Sequence, residues 1–135
     1  MSVPRHNLGV GVVGGLLYAM GGASGDGPYL SSVEAYNPAT NSWTLVKPMS
    51  VARVYLGVGV LGGLLYAGGG TDQQINHLAS VEAYNPANNS WHAVAPMAVK
   101  RFGSAVGVLE KTLYTTGGRN SDTYALGSVE AYQAR

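Results

Sequence analysis

A tyrosine shortly followed by paired glycines recurs at a fixed spacing along this chain. Leu16-Leu17-Tyr18-Ala19-Met20-Gly21-Gly22 is answered by Leu64-Leu65-Tyr66-Ala67-Gly68-Gly69-Gly70 and by Thr112-Leu113-Tyr114-Thr115-Thr116-Gly117-Gly118. The tyrosines are 48 residues apart both times (66−18 = 48 and 114−66 = 48). Other segments keep the same interval. Met1-Ser2-Val3-Pro4-Arg5 returns as Met49-Ser50-Val51-Ala52-Arg53 and Met97-Ala98-Val99-Lys100-Arg101. Ser32-Val33-Glu34-Ala35-Tyr36 returns at 80–84 and 128–132, and Asn41-Ser42-Trp43 returns as Asn89-Ser90-Trp91. A period of this length marks a repeat architecture, in which one unit cannot bury its apolar faces alone and must stack on its neighbours.

Each unit reads as β structure. Leu8 to Val13 alternates Gly with Leu or Val, a strand with one slim face. Gly14-Gly15 is a hairpin turn, which makes Leu16 to Met20 the partner strand. A polar, glycine-rich loop runs from Ala23 to Ser31, followed by a third short strand over Ser32 to Tyr36. Asn37-Pro38 and Asn41 mark a turn, and Trp43 to Val46 is a fourth strand. Gly and Pro at this density leave no window for a helix. Four antiparallel strands per 48 residues describe a blade of a β-propeller, with inner strands kept slim by glycines 9, 11, 57, 59 and 107 and large aromatics further out.

The pattern resembles the kelch repeat, and within it the kelch-like (BTB-kelch) adaptor proteins. The resemblance rests on the Arg opening each unit, the glycine pair after the Tyr strand, the Val-Glu-x-Tyr-Asn-Pro segment and the spaced Trp43 and Trp91. It covers the whole chain and implies an all-β fold: half of a kelch propeller, with units over 1–48, 49–96 and 97–135. The third unit is expected to lack its outer strand, because a third Trp would fall at 91+48 = 139, past Arg135. Propellers of this family usually have six blades, so two copies are expected to close into one ring as a homodimer.

Composition narrows the function classes. Charged residues are 11% of the chain and the net charge is +1, which leaves no electrostatic footprint for nucleic acid or anionic lipid. There is no cysteine, so thiolate metal sites and cysteine nucleophiles are excluded. No apolar run approaches the roughly 18 residues of a membrane helix. Met1 to Arg5 does not look like a signal peptide, and the default expectation is a cytoplasmic protein. His6, His77 and His92 occupy unrelated repeat positions without metal-ligand spacing, and neither a metal nor another cofactor is expected.

The candidate ligand residues fall into two groups. Arg5, Arg53 and Arg101 recur in every unit and read either as a ring of cations for a carboxylate-bearing partner or as braces on a neighbouring blade's backbone. Asn7, Tyr29, Tyr55, His77, Phe102 and Tyr124 lie where the units differ, and so are free to specify a partner. In the kelch-like family these loops form the ligand face, and arginines there commonly bind acidic peptides. Strict repetition of Glu34, Glu82 and Glu130 argues for structure rather than catalysis.

Three functions follow. The resemblance implies a non-enzymatic protein-interaction platform; in BTB-kelch adaptors the propeller recruits substrates to a ubiquitin ligase, though three repeats leave no room here for the BTB domain. A second possibility is a sugar-binding or sialic-acid-isomerase-like kelch enzyme, or a fragment of a longer adaptor. A galactose-oxidase-like copper site needs a Cys–Tyr cross-link that a cysteine-free chain cannot make. The third is a self-assembling scaffold with no further ligand.

Overall fold

A computed structural model describes residues 1–134. Eleven five-residue strands form three separate antiparallel sheets, and there is no helix among these residues. The first sheet contains β1 (Gly9–Val13), β2 (Leu16–Met20), β3 (Val33–Asn37) and β4 (Ser42–Val46), in that spatial order. The second repeats it with β5 (Gly57–Leu61), β6 (Leu64–Gly68), β7 (Val81–Asn85) and β8 (Ser90–Val94). The third has β9 (Ala105–Leu109), β10 (Thr112–Thr116) and β11 (Val129–Gln133), with no fourth strand among the described residues. The strands start or end within a residue of the positions read from the sequence.

The register is the same in every unit. Gly9 pairs with Met20, Gly57 with Gly68 and Ala105 with Thr116. Val33, Val81 and Val129 likewise sit at one equivalent position. Side-chain alternation therefore places the same residue types on the same sheet face each time. The outer turns are built identically in the first two units. The Asn37 carboxamide accepts a bond from the Ala39 amide at 2.9 Å, and the Tyr36 hydroxyl donates to Asn41 at 2.9 Å. Asn85, Ala87, Tyr84 and Asn89 repeat both bonds. In the third unit Gln133 replaces the turn Asn and donates instead to the Thr112 hydroxyl at 3.2 Å.

The core lies between sheets rather than inside one. Tyr18, Met20, Val33 and Ala35 of the first sheet pack on Leu56, Leu65, Ala67 and Tyr84 of the second. Leu61, Tyr66 and Ala83 of the second pack on Leu113 and Tyr132 of the third. The glycines of β1 and β5 are required by this approach. A Cβ at Gly59 would come within 2.7 Å of Leu113 Cδ1 and 2.8 Å of Val106 Cγ1. Tyrosine pairs span each gap further out, Tyr18 to Tyr84 at 5.7 Å and Tyr66 to Tyr132 at 5.3 Å between ring centroids.

Candidate functional site

The three repeated arginines do not form a cationic ring on an open channel. Each guanidinium is fully buried against its own sheet. Arg53 Nη1 donates to the Gly69 and Ser80 carbonyls at 2.9 and 3.0 Å, and its Nη2 donates to Glu82 Oε2 at 2.8 Å. Arg5 makes the same set with Gly21, Ser32 and Glu34, and Arg101 with Gly117, Ser128 and Glu130. The reading of these arginines as ligand groups is corrected accordingly, since their donors are already turned inward on fixed acceptors. In each, the buried Nε alone lacks a partner among the described residues. The contact to the neighbouring blade is made by main chain instead. The Arg53 carbonyl accepts from Gly22 at 2.9 Å and its amide donates to the Leu30 carbonyl at 3.2 Å. Arg53 and Arg101 thus each tie two successive sheets together.

The repeated glutamates complete these struts. Burial alone would raise the pKa of Glu34. The Ser2 hydroxyl and amide, then the Arg5 guanidinium, outweigh that and hold it at about 2. Glu130 is also lowered, burial again being opposed by the Ala98 and Val99 amides and by Arg101. A carboxylate held ionised by fixed donors is a poor general base. The cleft between the second and third sheets, lined by Tyr66, Val81, Met97, Leu113 and Tyr132, is mainly apolar, and its Glu130 is already paired with Arg101.

The variable residues behave differently. Phe102 and Arg119 pair as an isolated bridge, each amide donating to the other's carbonyl at 3.0 Å. That places the Arg119 guanidinium 5.0 Å from the Phe102 ring centroid and 5.4 Å from that of Tyr124. His77 stacks on Phe102 at 4.5 Å, and Tyr55 leans on it at 6.0 Å. Tyr55 is exposed and Tyr124 is 84% exposed. Arg119 is exposed and has no ion pair or side-chain hydrogen bond among the described residues. Tyr55 takes a left-handed backbone (φ 55°), as do Asn7 (φ 54°) and Gly103 (φ 66°) at the matching positions. That geometry turns side chains 7 and 55 outward.

Tyr55, His77, Phe102 and Tyr124 are therefore brought together, with Arg119 between two of the rings. Asn7 lies apart, its amide group against His6 Nδ1 at 2.8 Å. Tyr29 is half-buried and joins the next unit through its amide, which donates to Gln73 Oε1 at 2.7 Å. Sequence reasoning missed Arg119. The signal was available, because Ala23 and Thr71 are small and buried at the matching positions, so an Arg there serves no repeated need. Asp72 is occupied by its own loop, accepting from the Asn76 amide at 2.9 Å and the Gln74 amide at 3.0 Å, and those bonds lower its pKa. No cluster of three metal-ligating side chains occurs among the described residues.

Successive, similarly registered β-sheets, packed face to face, tied to one another by main-chain bonds and each braced by its own buried Arg–Glu strut, define a β-propeller class of protein. The Kelch motif matches residues 4–50 and 52–98, again 48 residues apart, and the chain belongs to the kelch-repeat family. An Arabidopsis thaliana protein named as an F-box/kelch-repeat protein is 48% identical over 46 residues, 34% of this chain. The match spans only 13% of that relative's length.

Proposed function

We propose that this chain is a non-enzymatic protein-interaction module whose partner docks on the variable rim over the second and third sheets. The carrying observation is the Tyr55, His77, Phe102, Arg119 and Tyr124 cluster, built at positions where the other units do without it. Rigid aromatic faces beside an unpaired guanidinium suit a short segment carrying a carboxylate next to an apolar side chain. The membership of a kelch family supports a binding role; the BTB-kelch or F-box context of such modules elsewhere is a property of those longer proteins. Selection from a random-peptide display library tests the reading. Enrichment of acidic peptides, lost on Arg119→Gln and on Tyr124→Ala but kept on Lys47→Gln, is expected. Saturable binding and turnover of a simple sugar such as sialic acid would overturn it in favour of a kelch enzyme.

A second reading concerns assembly, and the exposed sheet faces favour it. Val10 and Val12 on the first sheet, and Leu109 and Val129 on the third, are apolar and open to solvent. Such faces are built to be covered. Two copies joined end to end about a twofold axis would cover all four and form a six-bladed ring.

A further inference from the structure

We propose that the open face of the third sheet receives the open face of the first sheet of a second copy, in the register that joins the sheets within one chain. This rests on the self-assembly reading above and specifies which atoms meet.

The main chain supplies the first argument. Besides the bonds from the Met49 and Met97 amides to the Ser31 and Ala79 carbonyls, three kinds of main-chain bond link one unit to the next. The Gly22 amide donates to the Arg53 carbonyl and the Gly70 amide to the Arg101 carbonyl, both at 2.9 Å. The Arg53 amide donates to the Leu30 carbonyl and the Arg101 amide to the Leu78 carbonyl, both at 3.2 Å. The Tyr55 amide donates to the Asn7 carbonyl and the Gly103 amide to the Tyr55 carbonyl, both at 2.9 Å. Advancing each series by one interval leaves the Gly118 amide, the Leu126 carbonyl and the Gly103 carbonyl without partners among the described residues. The first unit carries the complements. Its Arg5 carbonyl, Arg5 amide and Asn7 amide are likewise unpaired. The three donors and three acceptors match one for one.

Gly117 supplies the second argument. At Gly21 a Cβ would come within 2.6 Å of the Arg53 carbonyl oxygen, and at Gly69 it would strike that of Arg101. At Gly117 the only neighbour is the Leu126 carbonyl oxygen at 3.8 Å. Among the described residues no carbonyl fills the room that this glycine leaves. In the proposed joint Arg5 of a second copy supplies it.

The side chains agree. Val33 is 0% exposed and its equivalent Val129 is 59% exposed; Leu61 is 8% exposed and its equivalent Leu109 is 67%. The same residue types are covered where a following sheet exists and bare where it does not. On the opposite face Val10 and Val12 are exposed, whereas Val58 and Val60 are partly buried against the core. The series Tyr18–Tyr84 and Tyr66–Tyr132 continues as Tyr114 against Tyr36 of the second copy. One position departs. At Gly57 a Cβ would meet Val106 Cγ2 at 2.6 Å, and its equivalent on the open face is Ala105. Val10 of the second copy must turn aside there, which makes this the loosest of the joints.

The absence of cysteine makes the test clean. A Cβ at Gly9 lies 3.3 Å from Val58 Cβ, near the roughly 3.5–4.5 Å that a disulfide spans. Gly9→Cys with Val58→Cys is the control for an intact joint and links within one chain. Val10→Cys with Ala105→Cys places the equivalent pair on the two open faces. After oxidation with glutathione disulfide, it is expected to give only a reducible two-chain species, and each single variant none. Sedimentation equilibrium of the unmodified chain is expected to give twice 14.0 kDa. Ala105→Gly is expected to tighten the dimer about tenfold by relieving the crowding of Val10. A single-chain mass would overturn the self-assembly reading and this register with it. A two-chain mass without the Val10–Ala105 link, while the control link forms, would overturn the register alone. A ladder of longer species would overturn closure at two copies, and an unchanged or weaker Ala105→Gly dimer would overturn the contact at that position.

Discussion

Arg53 shows how much a single side chain can hold in this molecule. Its guanidinium satisfies two carbonyls and one carboxylate of its own sheet, while its main chain bonds to the sheet before. Arg53→Ala would strand the buried Glu82 charge and both carbonyls, at a cost of about 3–5 kcal/mol in urea unfolding. Glu82→Gln should cost clearly less, because it removes one charge and leaves the Gly69 and Ser80 bonds in place. Glu34 gives a pH signature. Its folded pKa of about 2 lies below its ordinary 4.5, so its contribution to stability is full above about pH 4.5 and is lost as pH falls towards 2. Urea midpoints measured from pH 6 to pH 2.5 should fall more steeply for the native chain than for Glu34→Gln. Equal slopes would mean that the Ser2 and Arg5 bonds do not hold in solution.

At the scale of the element, one strand type performs differently according to what covers it. Leu65 in β6 is fully buried between the first two sheets, whereas its equivalent Leu17 in β2 lies on the open face of the first. Leu65→Ala is expected to cost about 2–5 kcal/mol. Leu17→Ala should cost under about 1 kcal/mol at high dilution, and more as protein concentration rises if a second copy covers it. A Leu17→Ala cost as large as that of Leu65→Ala at every concentration would contradict the exposed position of the first sheet. The paired glycines show why an element's end can matter as much as its middle. Gly69 has a positive φ of 64°, and a Cβ there strikes the Arg101 carbonyl. Gly69→Ala is expected to lower stability by about 1–3 kcal/mol from backbone strain alone, before any clash is counted, by thermal or urea unfolding.

At the scale of the whole molecule, the proposed ring makes stability a matter of concentration. Val10→Asp would put a carboxylate on the face offered to the third sheet and leave the contacts inside the chain untouched. The expected outcome is a single-chain mass with unchanged far-ultraviolet circular dichroism and a melting temperature that no longer rises with concentration. A Val10→Asp protein that keeps a two-chain mass would show that copies meet through some other surface.

The 48-residue interval, with glycines, β-branched residues and turn asparagines at fixed offsets, determined the blade, its four strands and their order. Local steric preference and period-2 alternation act over a few residues, so they are written in the sequence directly. What only the tertiary structure decided is what faces what. Arg5, Arg53 and Arg101 could be read as ligand groups or as struts, their strict repetition leaning to the strut, and folding turned them inward because carbonyls and a glutamate 16 to 29 residues away converge on each guanidinium. Arg119 gave no local sign of its place between Phe102 and Tyr124, since a bridge across 17 residues puts it there (119−102 = 17). The glycine pair that punctuates each unit ends a strand, as its sequence says. It also leaves room for the next unit's arginine carbonyl, which becomes visible only when two sheets are side by side.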